Sequence, residues 1–276
     1  MLSTDQRRAY RDDGFLVLPG FKAAADLAAL RERADAIVAA FEPGDSAAIF
    51  STRDRALTAD AALIASADQV HCFFEEEAFG ADGRLAVPKA RAINKIGHAL
   101  HDRDPVFERF SRGAALAALA ADLGLAEPLL WQSMLIFKQP VIGGEVRWHQ
   151  DATFFVTEPL SVTTFWFALE DAALDNGCLW VEPGGHRGPL RERFVREGER
   201  LRIEPLDATP WPGADRAVPR PCEAGTLVVF HGLLPHYSAP NRSPRSRMAY
   251  TLHATDGRAA YAPGNWLQRA GVRGFA

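Results

Sequence analysis

Leu129-Leu-Trp-Gln-Ser-Met-Leu-Ile-Phe-Lys-Gln139 opens a run of short segments rich in Val, Ile, Thr, Phe and Trp. Four more follow: Ser161–Leu169, Cys178–Glu182, Thr226–Phe230 and Met248–Ala254. Turn signals separate them at Pro140 to Gly144, Asp175-Asn-Gly177, Pro183-Gly-Gly185 and Pro240-Asn241. β-Branched and aromatic side chains fit a pleated, half-buried surface, and short strands at this density predict an antiparallel sandwich or barrel. The stretch from Gly188 to Pro221 is polar and proline-rich with no clear period. It reads as a long excursion between strands, with a short helix near Arg191–Glu197. Long loops of this kind often carry function.

Upstream of residue 128 the texture is helical. Ser3 and Gln6 have the spacing of a capping box, which starts a helix running through Tyr10. Gly14-Phe-Leu-Val-Leu-Pro19 reads as a short strand. A second helix is expected over Ala23 to Ala40, where Leu27, Leu30, Ala34, Ile37 and Val38 recur at helical steps. A third is expected to start at Pro105, with Asp104 as its cap, and to run to about Asp122, with Gly124 just past its end. No repeat and no linker divides the 276 residues. The expectation is one domain over 1–276, with helices to about residue 125 packed on a mainly β core.

The composition is that of an ordinary globular chain, 47% apolar and 24% charged. A net charge of −4 lacks the clustered basic charge that an obligate nucleic-acid partner requires. Arg242, Arg245 and Arg247 form only a short basic stretch. The three cysteines, Cys72, Cys178 and Cys222, are odd in number and far apart, which argues against a disulfide framework and for a reducing cytoplasm. The polar N-terminal stretch is not a secretory signal, and no apolar run approaches the ~18 residues a spanning helix needs.

Chemistry concentrates at Arg147-Trp-His-Gln-Asp151. Residues i and i+2 of a strand share a face, so His149 and Asp151 are expected to project together. His236, just past the strand at Thr226–Phe230, is the candidate third ligand. Two imidazoles and one carboxylate leave open positions on an octahedral metal, the arrangement of non-haem Fe(II) oxygenases. Arg247 follows eleven residues after His236 and offers a planar, two-pronged donor for a carboxylate. Ser238 adds a hydroxyl donor. The other six histidines (His71, His98, His101, His186, His231, His253) are expected to be structural or exposed. Trp148 and Gln150, alternating with the ligands, are expected to face away from them and to pack.

Several longer motifs in fixed order resemble the phytanoyl-CoA dioxygenase (PhyH-like) family. They are Asp12-Asp-Gly-Phe-Leu-Val-Leu-Pro-Gly20, Asn94-Lys-Ile-Gly-His-Ala-Leu-His101, Gln132-Ser-Met-Leu-Ile-Phe-Lys-Gln-Pro140, Trp148-His-Gln-Asp-Ala-Thr-Phe154 and Asn176-Gly-Cys-Leu-Trp180. Pro183-Gly-Gly-His186 departs slightly, since Ser is commoner at position 185. The resemblance implies a double-stranded β-helix (jelly-roll, cupin-like) core. It implies Fe(II) on His149, Asp151 and His236, with 2-oxoglutarate as cosubstrate alongside O2. Arg247 and Ser238 would hold the far carboxylate of 2-oxoglutarate, and Lys95, Met134 and Trp166 would line its site. The expected activity is hydroxylation, or hydroxylation with demethylation, of a small molecule. Two alternatives stand beside it: a cupin-like metal enzyme that needs no 2-oxoglutarate, and a non-catalytic ligand-sensing jelly-roll.

Overall fold

A computed structural model describes residues 1–43, 48–50 and 60–276. Its helices are α1 (Thr4–Asp13), α2 (Ala24–Ala40), α3 (Asp60–Ala65), α4 (Leu100–Arg103), α5 (Pro105–Ser111) and α6 (Ala114–Asp122). The first strands are β1 (Phe15–Leu18), β2 (Ile49–Phe50), β3 (Val70–Glu75), β4 (Ile93–His98), β5 (Pro128–Lys138), β6 (Val146–His149) and β7 (Thr157–Glu158). Then come β8 (Thr163–Ala168), β9 (Leu179–Val181), β10 (Glu192–Glu197), β11 (Arg200–Pro205) and β12 (Val218–Arg220). The last are β13 (Leu227–His231), β14 (His236–Ser238), β15 (Arg247–Asp256) and β16 (Ala260–Tyr261).

Two sheets face each other. The large one has the order β1-β13-β8-β15-β5-β4-β3-β2, antiparallel except where β2 meets β3; the small one is β12-β9-β14-β6. Side chains of directly opposed residues share a face, so register sorts the large sheet. Thr251 of β15 pairs with both Met134 and Trp166, Ala249 with Ile136 and Ala168, and Ile136 with Lys95. These side chains point inward. Trp166, Ala168, Val228, Phe230 and Ala249 meet Leu179 and Val181 of the small sheet in one apolar cluster. The outward set, including Leu135, Phe165, Phe167, Tyr250 and Leu252, packs under Leu27, Leu30, Val38, Phe107, Phe110, Leu116 and Leu119 of the helices. At roughly 1.5–3 kcal/mol per buried large side chain, that helix-covered face is a main source of stability. This is the jelly-roll with flanking helices that the strand pattern and the resemblance led to expect.

The capping box at Ser3 and Gln6 is present, and α1 runs to Asp13, where Gly14 closes it in the left-handed conformation (φ 83°). Asp104 caps α5 by accepting from the Val106 and Phe107 amides. Three expectations need correction. The helix from Pro105 to Asp122 is two helices, because Arg112 turns extended (φ −124°, ψ 167°) and Gly113 follows at φ 127°, a pair that breaks the helical ladder. The segment Arg191–Glu197 is not a helix. Its residues 192–197 form β10, which pairs with β11 around Gly198, with Phe194 and Val195 buried. The first half is not purely helical, since β2, β3 and β4 extend the large sheet. Among the described residues no helix is long and apolar enough to cross a membrane.

Candidate metal centre

The small sheet positions two imidazoles. His149, the last residue of β6, and His236, the first of β14, are direct cross-strand partners, with ring centroids 4.1 Å apart. Their Nδ1 atoms donate to backbone carbonyls two residues back, at Arg147 (2.7 Å) and Leu234 (3.0 Å). Each ring thus carries its proton on Nδ1 and turns the Nε2 lone pair inward, the outer-contact arrangement that orients ligating histidines. Asp151 does not lie in the strand as expected. β6 ends at His149, and Asp151 begins a 3₁₀ turn over Asp151–Thr153. The turn is anchored by the Ala152 amide donating to Gly232 O at 2.9 Å. Its Oδ1 lies 3.5 Å from His149 Nε2 and 3.7 Å from His236 Nε2.

One ligand-type atom from each of these three residues falls within 4.8 Å of the others. Two imidazole nitrogens and one carboxylate oxygen, converging on one point, fit a divalent iron-type ion. Burial and the neighbouring His149 push His236 down to about 4, so it is a neutral ligand at physiological pH. His236 and Asp151 are buried, while the His149 side chain keeps 19% of its surface, which places the mouth of the centre on its side.

Gln150 and Trp148 face away, as alternation predicts. The Gln150 amide is a staple: it donates to Pro189 O and Leu233 O and accepts from the Arg191 amide. Trp148 stacks on Tyr237 at 5.4 Å. Of the aromatic side chains near the motif, Phe154 stands 6.0 Å from the His149 ring, Phe155 is buried against His253, and Trp211 lies under the Arg191 guanidinium.

Arg247, at the start of β15, is 2% exposed. Its Nε donates to Gly177 O (3.1 Å) and its Nη2 to Ser238 Oγ (3.0 Å), while the Ser238 hydroxyl donates to Gly177 O (2.8 Å). Nη1 is buried without a partner among the described residues. An orphaned cationic donor is costly unless a ligand satisfies it, so this atom fits an incoming carboxylate. Burial depresses the guanidinium only to about 10, and it stays charged. Lys138, its cross-strand neighbour, is equally buried but spends its ammonium on the carbonyls of Gly144, Ser238 and Ala239. Lys138 therefore ties loops together, and Arg247 alone of the pair presents a free donor.

Trp166 lies 5.7 Å from the Arg247 guanidinium, and Met134 and Lys95 share the inner face. The Lys95 ammonium sits 3.2 Å over the Phe50 ring, and burial brings its pKa down to about 7 against the pull of Glu75. The other two basic residues of the stretch are surface partners, Arg242 with Glu77 and Arg245 with Asp175.

Gly177 holds the Arg247 frame together. It adopts φ 87°, and a Cβ there would stand 2.7 Å from Ala239 O. Gly177→Ala is expected to lower Tm by several degrees, given roughly 2–4 °C per kcal/mol for a chain of this size, and to weaken carboxylate binding. Thermal melts with and without 2-oxoglutarate check this; a variant that melts like wild type removes the turn from the account.

Sequence reasoning missed His253 and Thr164. His253 is buried at 3% exposure with Nε2 3.5 Å from Asp151 Oδ2, and Thr164 donates its hydroxyl to the same oxygen. The available signal was alternation: His253 lies an even six residues from Arg247, on the same inward face of β15.

A family model described as Phytanoyl-CoA dioxygenase (PhyH) matches residues 10–249. A protein named phytanoyl-CoA dioxygenase from Arabidopsis thaliana is 42% identical over 98% of this chain and 94% of its own length. Phytanoyl-CoA dioxygenase domain-containing protein 1 of Bos taurus is 44% identical over 97% of this chain and 95% of its own. Among solved structures, EctD from S. alaskensis with 2-oxoglutarate and 5-hydroxyectoine superposes with a TM-score of 0.65 at 20% identity, covering 99% of this chain and 85% of that one.

Proposed function

The chain belongs to the phytanoyl-CoA dioxygenase (PhyH) family of non-haem iron, 2-oxoglutarate-dependent oxygenases, and on that premise we propose that it hydroxylates a small organic substrate, with succinate and CO2 released. Hydroxylation followed by loss of a group such as formaldehyde is the same reaction on an N- or O-methyl carbon. The single observation that carries the reading is the buried, unpartnered Nη1 of Arg247, whose guanidinium is hydrogen-bonded to Ser238 on the same short strand as His236. The far carboxylate of a dicarboxylate cosubstrate would give that atom a charged partner.

Each residue has a derivable part. His149 and His236 offer Nε2 because the Arg147 and Leu234 carbonyls hold Nδ1–H. Asp151 adds one negative charge through Oδ1. Arg247, braced by Ser238 and Gly177, binds the far carboxylate of 2-oxoglutarate, with Trp166, Met134 and Lys95 beside it. The apolar cluster of Trp166, Val181 and Phe230 keeps water from the back of the site. Bound together, iron and 2-oxoglutarate supply the oxidising power: one atom of O2 goes to succinate and the other to substrate. Phe154, half-buried beside His149, is placed to meet the substrate at the mouth.

Anaerobic titration of the Fe(II)-loaded protein with 2-oxoglutarate tests the reading. A saturable visible charge-transfer band is expected, followed by succinate release once a substrate is supplied. Iron binding without the band would favour the enzyme class that uses no 2-oxoglutarate; no iron binding would favour the non-catalytic jelly-roll.

A further inference from the structure

The two oxygens of Asp151 have different neighbours. Oδ1 faces His149 and His236, whereas Oδ2 receives the Thr164 hydroxyl and lies 3.5 Å from His253 Nε2. Thr164 and His253 are direct cross-strand partners on β8 and β15, so one rung of the large sheet reaches across the barrel to a turn carried by the small one. Both are almost fully buried, and the His253 ring is stacked on Phe155 at 5.0 Å, which fixes its plane. His253 Nδ1 is buried without a partner among the described residues. A proton there would have no acceptor, so Nε2 carries it and points it at Asp151.

We propose that His253 and Thr164 are positioning residues that pin Oδ2 of Asp151 and leave Oδ1 alone to the metal. The inference rests on the metal centre proposed above and deepens it. A free carboxylate rotates about its Cβ–Cγ bond and can bring both oxygens to one ion. That would fill a position which a chelating cosubstrate and O2 need, since His149, Asp151 and His236 leave only three open on an octahedral ion. The Thr164 hydrogen bond to Oδ2, with the His253 Nε2–H facing the same oxygen at 3.5 Å, opposes that rotation. It also favours the charged carboxylate, because a hydrogen bond to the ionised form stabilises it. Carboxylate ligands supported in this way typically lose metal affinity 10–100-fold when the support is removed.

The test uses the full chain and four variants: His253→Leu and Thr164→Val, which delete the donor, and His253→Gln and Thr164→Ser, which keep one. Fe(II) and Co(II) dissociation constants, the anaerobic Fe(II)–2-oxoglutarate band and thermal midpoints are read for each. The donor-deleting variants are expected to weaken metal about tenfold or more and to reduce the band at saturating metal. The conservative variants should return both to within a few-fold of wild type. Thr164→Val exchanges a hydroxyl for a methyl of the same shape, so it carries the test if His253→Leu fails to fold. Wild-type metal affinity and band in Thr164→Val and His253→Leu would overturn the proposal, as would equal losses in the Ser and Gln variants, which would mark a packing role. A wild-type protein that binds neither metal would sink the reading of the centre itself, a result distinct from a failure confined to the variants.

Discussion

Arg247→Ala is expected to weaken 2-oxoglutarate binding by roughly 2–4 kcal/mol, a factor of about 30 to 900. The magnitude follows from where the charge sits. An exposed Arg–carboxylate pair is worth under about 1 kcal/mol, because water competes and screens. Arg247 is 2% exposed and already fixed by Gly177 O and Ser238 Oγ, so the binding of a carboxylate at Nη1 costs little side-chain entropy and meets little competing water. Truncation removes the donor and leaves the far carboxylate buried without a partner. Lysine should recover only part of the loss, since a point ammonium cannot keep the two anchoring bonds and offer Nη1's geometry at once. Titration of the charge-transfer band against 2-oxoglutarate measures the effect. An unchanged dissociation constant would remove Arg247 from the clamp. Lys138 would then be the nearest cation, although its ammonium is committed to three carbonyls.

The second large effect concerns iron. His149→Ala should abolish iron retention at stoichiometric loading, because a two-ligand remnant competes poorly with water and buffer for a divalent ion. His149 is the ligand of choice for the test. Its side chain is the most exposed of the three, so its removal opens a space at the mouth and not a void in the core. The variant should therefore melt close to the metal-free wild type, and loss of iron cannot be ascribed to unfolding. Metal analysis after desalting gives the answer, and full retention would count heavily against the ligand assignment. His236 and Asp151 are less suitable, being buried where truncation perturbs packing as well as ligation.

The sequence by itself determined the strand-rich half, the helices with explicit caps at Ser3 and Asp104, and the spacing that puts His149 beside Asp151. These are local matters. Side-chain alternation, capping chemistry and turn residues act within a few residues of each other. Where local signals mislead, the cause is visible. β4 reads Ile93-Asn-Lys-Ile-Gly-His98, with polar Lys95 turned into the barrel, so a polar interior hides its alternation. The 192–197 strand is polar on one face and was legible only once β11 supplied its partner. Helix α5 stops at Ser111 because Arg112 and Gly113 both leave the helical region, a break no periodicity reports. The tertiary structure decided the rest. It chose Arg247 over Lys138 as the free donor, since loop carbonyls far apart in sequence occupy the lysine. It moved Asp151 off the strand into a turn anchored at Gly232 O. It also brought His253, 102 residues from Asp151 (253 − 151), against the second carboxylate oxygen. Sheet register across two facing layers sets which buried polar atoms find partners and which are left for a ligand, and that register is a property of the whole chain.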